Sequence, residues 1–153
     1  MQLVYALERP AEVSRFSLFL AGPSPRGNGE HDWRKLAVSF LEQIGFDGTV
    51  FIPLPRSGEY HPDYDHTAQI DWELEYLERA SVIAFWIPRD LKTLPGFTTN
   101  VEFGRFSRTP CVLGYPKDAE KMRYLHRIAQ IDEVPIRDTL ERTLHTAIEL
   151  LPL

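Results

Sequence analysis

Four short apolar runs, at 16–21, 49–53, 81–87 and 111–114, alternate with segments at 31–44, 67–79 and 99–108 whose apolar residues recur at helical spacing. The run Val82-Ile83-Ala84-Phe85-Trp86-Ile87 has no polar interruption, as expected of a strand covered on both faces, and Pro88 ends it. Strands that alternate with helices predict an α/β chain: one Rossmann-like (flavodoxin-like) domain over residues 1–153, with a central parallel sheet flanked by helices on both faces. Residues 2–7 add an edge strand or a hairpin partner. Segments 119–129 and 137–151 read as closing helices, the last with Ile136, Leu140, Leu144, Ile148 and Leu151 on one stripe. The Pro- and Gly-rich stretches at 22–29 and 53–63 follow strands, which places them over the carboxyl edge of the sheet, where ligands bind in this architecture.

Composition narrows the classes of function. At 153 residues, 43% hydrophobic and 12% aromatic, the chain can bury a full core. A formal charge of -5 gives no basic footprint for duplex nucleic acid, so a small-molecule partner is expected instead. The single cysteine, Cys111, forms no internal disulfide, and no apolar stretch approaches the roughly 20 residues of a membrane span. The start Met-Gln-Leu-Val-Tyr lacks a signal-peptide pattern, and the expected location is cytoplasmic.

The candidate chemistry begins at Pro95-Gly96-Phe97-Thr98-Thr99-Asn100-Val101-Glu102-Phe103-Gly104, which sets a carboxylate at the start of a helix just after the buried strand. Thr99 and Glu102 have the S/T-x-x-E spacing of a capping box. The same placement puts Glu102 in a first helical turn, where the helix dipole favours the ionised form that a nucleophile needs. Gly104 allows close packing of helix on strand. On the helix through 67–79, Glu73 falls beside the stripe Ile70, Leu74 and Leu77, an unusual place for a carboxylate without a partner or a function, while Asp71 lies on a solvated flank with Glu75 and Glu78.

The turn Gly22-Pro23-Ser24 offers backbone amides and a hydroxyl, with Arg26 or Arg34 available for a phosphate or a sugar edge and Asp32 placed to cap the next helix. It matches neither the P-loop nor the dinucleotide fingerprint. Phe19 and Trp33 are candidate apolar walls, or core. Asn100 is a cap or a sugar ligand, and Asp90, on the loop Arg89-Asp90-Leu91-Lys92 after the 81–87 run, is a reserve candidate. His31, His61, His66, His126 and His145 show no metal-ligand spacing, Cys111 reads as a buried structural thiol, and no Gly-x-Ser-x-Gly elbow is present.

Three segments in this order, Phe19-Leu20-Ala21-Gly22-Pro23, Gln69-Ile70-Asp71-Trp72-Glu73 and the Glu102 segment, resemble the nucleoside 2-deoxyribosyltransferase-like family, enzymes that cut the N-glycosidic bond of deoxynucleosides. The resemblance implies Glu102 as nucleophile, Asp71 or Glu73 against the nucleobase, and Ala21, Gly22 and Pro23 as part of the sugar and base pocket. It implies no metal or organic cofactor, a nucleoside or nucleotide substrate, and a homo-oligomer; the apolar tail 148–153 either docks in such an assembly or folds back on its own core. The chain departs from better-known members, with Pro95-Gly96-Phe97-Thr98 where they carry an aspartate and Phe19 where they carry a tyrosine. Transfer to a second base, hydrolysis of a deoxynucleoside or deoxynucleotide, and a non-catalytic nucleotide sensor therefore stand as three expectations.

Overall fold

The computed structural model describes residues 1–25 and 32–153. Six strands, β1 (Gln2–Tyr5), β2 (Ser17–Ala21), β3 (Thr49–Ile52), β4 (Val82–Trp86), β5 (Cys111–Gly114) and β6 (Ile136–Arg137), form one sheet in the order β1-β3-β2-β4-β5-β6. Every pairing is parallel. The helices are α1 (Trp33–Gln43), α2 (His66–Arg79), α3 (Phe97–Phe106), α4 (Arg123–Ile131) and α5 (Leu140–Glu149). Without β1, the order is that of a flavodoxin-like doubly wound sheet. Among the described residues, no helix is long and apolar enough to cross a membrane.

Alternation along the strands divides the core. Phe19, Phe51, Ile83, Phe85 and Leu113 face α2, α3 and α4, where Trp72, Tyr76, Leu77, Phe103, Phe106 and Leu125 meet them. Leu18, Leu20, Val50, Ala84 and Val112 face α1 and α5, against Trp33, Ala37, Leu41, Leu140 and Leu144. With helices on both sides, every residue of β2, β3, β4 and β5 is buried, which is why those strands read as unbroken apolar runs.

Several boundaries differ from the sequence expectation. β1 pairs parallel with β3 at the sheet edge, which excludes a hairpin. Ile136 belongs to β6, and only from Leu140, capped by Thr139, does the last helix begin; two residues of strand are too few to show an alternation. The other closing helix starts at Arg123 rather than 119. On α2 the buried stripe is Gln69, Trp72, Tyr76 and Leu77, and Ile70 is 54% exposed: two large aromatics fill the space over Phe51 and turn the helix away from the all-aliphatic stripe. The tail folds back, with Ile148 and Leu151 packed against the α1/α5 face of the core.

Candidate active site

β2 leads through α1 to β3 on one side of it, and the chain then crosses through α2 to β4 on the other side. The crevice between the carboxyl ends of β2 and β4 is therefore the topological switch point, where doubly wound sheets take their ligands. A cavity of about 350 Å³ opens there. Its walls are the turn Gly22–Ser24 after β2, Pro53 and Tyr60 after β3, the start and first turns of α2, and the stretch from Pro95 to Glu102 that leads into α3.

Close approach of two backbones fixes the first wall. At Gly22 (φ 156°) a Cβ would sit 2.1 Å from the carbonyl oxygen of Trp86 and 2.8 Å from the Trp33 ring, so only glycine lets the turn pass over the end of β4. Trp33 Nε1 donates to the Pro23 carbonyl at 3.0 Å and holds the turn from below. Arg34, 2% exposed, donates through Nε to Leu20 O (3.1 Å), through Nη2 to Gly22 O (2.7 Å) and through Nη1 to Ser24 Oγ (3.2 Å). Its guanidinium is thus committed to the end of β2, where an exposed phosphate ligand would leave those carbonyls unpaired. Burial lowers its pKa to about 10, which leaves it charged at neutral pH as a cation beside both cavity glutamates.

The second wall corrects the expected cap. α3 begins at Phe97, its N-cap Gly96 is left-handed (φ 62°), and no side chain caps it, so Thr99 lies within the first turn and Glu102 in the second. Thr99 is buried and lines the cavity instead of forming a capping box. Glu102 consequently gains little from the helix dipole. Its carboxyl is pushed up to about 8, first by desolvation and then by the charge of Glu73, with Arg34 opposing both. Gly104 is exposed, and a Cβ added to it would meet nothing within 4 Å, so it is not a packing glycine. Arg89, 4% exposed, fixes the approach to α3: it donates to Pro95 O (2.8 Å), Gly96 O (3.4 Å), Lys121 O (3.1 Å) and the Asn100 side-chain oxygen.

Glu73 enters from α2. Gln69, one turn earlier, donates to its Oε1 at 2.8 Å. Desolvation raises the Glu73 pKa, while the Gln69 hydrogen bond and the Arg34 charge act to lower it. Two carboxyls of like charge, on helices that follow different strands, thus share one cavity beside one buried guanidinium. Such a pair holds a proton at neutral pH, and Glu102 feels the greater push.

Of the residues singled out from the sequence, Gly22, Pro23, Ser24, Arg34, Glu73 and Glu102 line this cavity. Phe19 and Ala21 do not; both are wholly buried, Phe19 between Phe51 and Trp72. Trp33 supports the turn from the core side. Asp71 is exposed, and Asp90 caps its own turn by accepting from the Lys92 and Thr93 amides at 2.9 Å, in a neighbouring depression. Asn100 is occupied by Arg89. Arg26 and His31 lie outside the described residues. Cys111 is buried, its thiol pushed up to about 12.

Sequence reasoning missed Tyr60, Gln69, Ile70, His66 and Phe97 as cavity residues. The Gln69–Glu73 spacing of four places both on one helix face, and that signal was available. The 53–63 loop lies over the carboxyl edge as its place after a strand predicts, but nothing in the local sequence singled out Tyr60 as the residue that reaches the pocket.

A family model described as nucleoside 2-deoxyribosyltransferase like matches residues 15–118, more than half of the chain and the part that contains β2, α2, β4 and α3. No curated protein matches the sequence.

Proposed function

The chain belongs to the nucleoside 2-deoxyribosyltransferase-like family, and from that premise we propose that it cleaves the N-glycosidic bond of a deoxynucleoside, with Glu102 as nucleophile and Glu73 as acid and base. The observation that carries this reading is the pair of carboxyls, Glu73 and Glu102, brought from two helices into one cavity at the switch point with a buried Arg34 as their counter-charge.

The pair starts with one shared proton. In the reactive arrangement that proton is on Glu73, and a Glu102 carboxylate oxygen attacks C1′ from the face opposite the base. The C1′–N bond breaks as the C1′–O bond forms, the electron pair leaves on the base nitrogen, and Glu73 protonates the base. A second base, or water, then attacks C1′ and frees Glu102 while Glu73 takes up the acceptor's proton. Atoms and charge balance without a cofactor. Arg34 limits the repulsion between the two glutamates, and the cavity's partial closure keeps their interaction strong.

Incubation with each common deoxynucleoside and its 5′-monophosphate, with and without an excess of a second free base, tests the proposal by chromatography. A new deoxynucleoside that forms only with the acceptor base identifies a transferase. Free base released regardless of acceptor identifies a hydrolase. Binding without any cleavage would sink the catalytic reading and favour a sensor.

A pH dependence follows from the pair. Because the competent form carries one proton, kcat/KM is expected to be bell-shaped, falling on the alkaline side near pH 8, where the pair loses that proton, and on the acid side as it gains a second. A profile that stays flat from pH 6 to 9 would rule out the shared-proton scheme.

A further inference from the structure

The geometry points to Gln69 as a positioning residue that fixes Glu73 Oε1 as an acceptor and so leaves Oε2 as the one Glu73 oxygen able to carry the transferred proton. The inference rests on the N-glycosidic reading for the identity of the proton's destination. The assignment of the oxygens does not.

Gln69 is 7% exposed, and its amide is held at both ends. Nε2 donates to the Pro53 carbonyl at 3.1 Å and to Glu73 Oε1 at 2.8 Å, with the Tyr60 hydroxyl at 3.4 Å. Oε1 of Gln69 accepts from the Tyr64 hydroxyl at 2.5 Å. The orientation of an amide is decided by partners that can play only one part, and a backbone carbonyl can only accept. Pro53 O therefore faces the NH₂ group, the second N–H of that group is directed at Glu73, and Glu73 Oε1 must accept. A proton on Oε1 would set two donors against each other. Turning the amide over would set its oxygen against both the Pro53 carbonyl and the Glu73 carboxylate.

The anchor reaches across the cavity walls. Pro53 follows β3, Tyr64 precedes α2, and Gln69 and Glu73 share one face of α2, so the 53–64 segment and the acid are set by the same amide. The charged and titratable groups around Glu73 are Arg34 from α1, Glu102 from α3, and Tyr60, Tyr64 and His66 from the loop and first turn of α2. None of these has a hydrogen bond to Glu73; among the described residues, the Gln69 amide makes the only contact that distinguishes one carboxylate oxygen from the other.

The test compares Gln69→Met and Tyr64→Phe with wild type in steady-state kinetics on deoxynucleosides and in carboxyl-carbon NMR titration of the free protein. In Gln69→Met, kcat is expected to fall about tenfold with KM changed less than about twofold. Both limbs of the pH profile and the Glu73 titration midpoint should move up by roughly one pH unit, because the anion has lost a donor. Tyr64→Phe, which frees the amide without emptying the space, should move them the same way by less. A rise in KM alone, with limbs and midpoint unmoved, would mean that Gln69 only braces the loop and would overturn the inference. If wild type cleaves no nucleoside yet the Glu73 midpoint shifts in Gln69→Met, the fixed acceptor stands and the N-glycosidic reading falls.

Discussion

Glu102→Gln is expected to reduce turnover by at least about a thousandfold while leaving ligand binding within a few-fold of wild type and making the protein more resistant to heat above pH 8. Loss of turnover follows from an amide that keeps the shape of the side chain but cannot form the glycosyl ester. The gain in stability follows from linkage. The folded-state value of Glu102, about 8, lies above the ordinary 4.5, so between these two pH values the folded protein holds more protons than the unfolded chain. Wild-type stability therefore declines as pH rises through that window, and the full penalty for the buried carboxylate is present above it. Because the carboxyl still touches solvent, the penalty amounts to about 1–3 kcal/mol rather than the whole shift. That corresponds to a melting temperature roughly 3–8 °C higher for the variant at alkaline pH. Below about pH 4 the two proteins should melt together. Equal melting temperatures at every pH would show that Glu102 is solvated, and undiminished turnover in the variant would remove it from the chemistry.

Arg34→Met should be the most damaging single change to the fold, with a loss of about 3–5 kcal/mol by urea denaturation at neutral pH. Methionine fills much of the volume, so the loss is chiefly polar. The carbonyls of Leu20 and Gly22 and the hydroxyl of Ser24 lose their donor inside the protein, and two glutamates lose their neighbouring cation. The second part depends on pH. With Arg34 gone, Glu73 and Glu102 bind protons still more tightly, so the deficit relative to wild type should widen as pH rises from 5 to 8. At low pH, with both carboxyls neutral, only the hydrogen-bond and packing losses remain. Arg34→Lys keeps the charge without the fork and should fall between the two. A deficit under about 1 kcal/mol at pH 8 would mean that water replaces the guanidinium at no great cost.

The frame of this molecule was readable from its sequence because burial on two faces writes unbroken apolar runs, and β2 to β5 fall where those runs do. Glu73 was readable for a related reason: a carboxylate beside a helix's apolar stripe is out of place unless something receives it. Glu102 was found in the right segment but with the wrong physics. The Thr99–Glu102 spacing satisfies a capping rule, yet Gly96 opens the helix three residues earlier in a left-handed conformation that no spacing rule reports. The carboxyl's electrostatics follow first from its burial in the folded pocket and then from Glu73 and Arg34, which lie about 30 and 70 positions upstream. Phe19 shows the opposite failure: an aromatic near the carboxyl edge of a strand looks like a pocket wall, and whether it faces the pocket or the core depends on the register of three strands with α2. Arg34 reads as a surface cation for phosphate until the fold turns it inward onto the end of β2.

Arg89 also sets the mechanics of the molecule. One guanidinium ties the carbonyls of Pro95 and Gly96 to that of Lys121, and Glu120 adds its own bond to the Leu91 amide, so the connections after β4 and β5 are joined as one stiff part in which α3 is seated. Across the cavity, the 55–64 segment has backbone bonds of its own, from Gly58 to Pro55 and from Tyr64 to His61, and Arg56 ties it to Glu8 and to the Leu3 carbonyl. Arg89 on one side and the Gln69 amide, bonded to Pro53, Tyr60 and Tyr64, on the other brace both walls of the pocket, so that Glu102 and Glu73 are each carried on a seated helix.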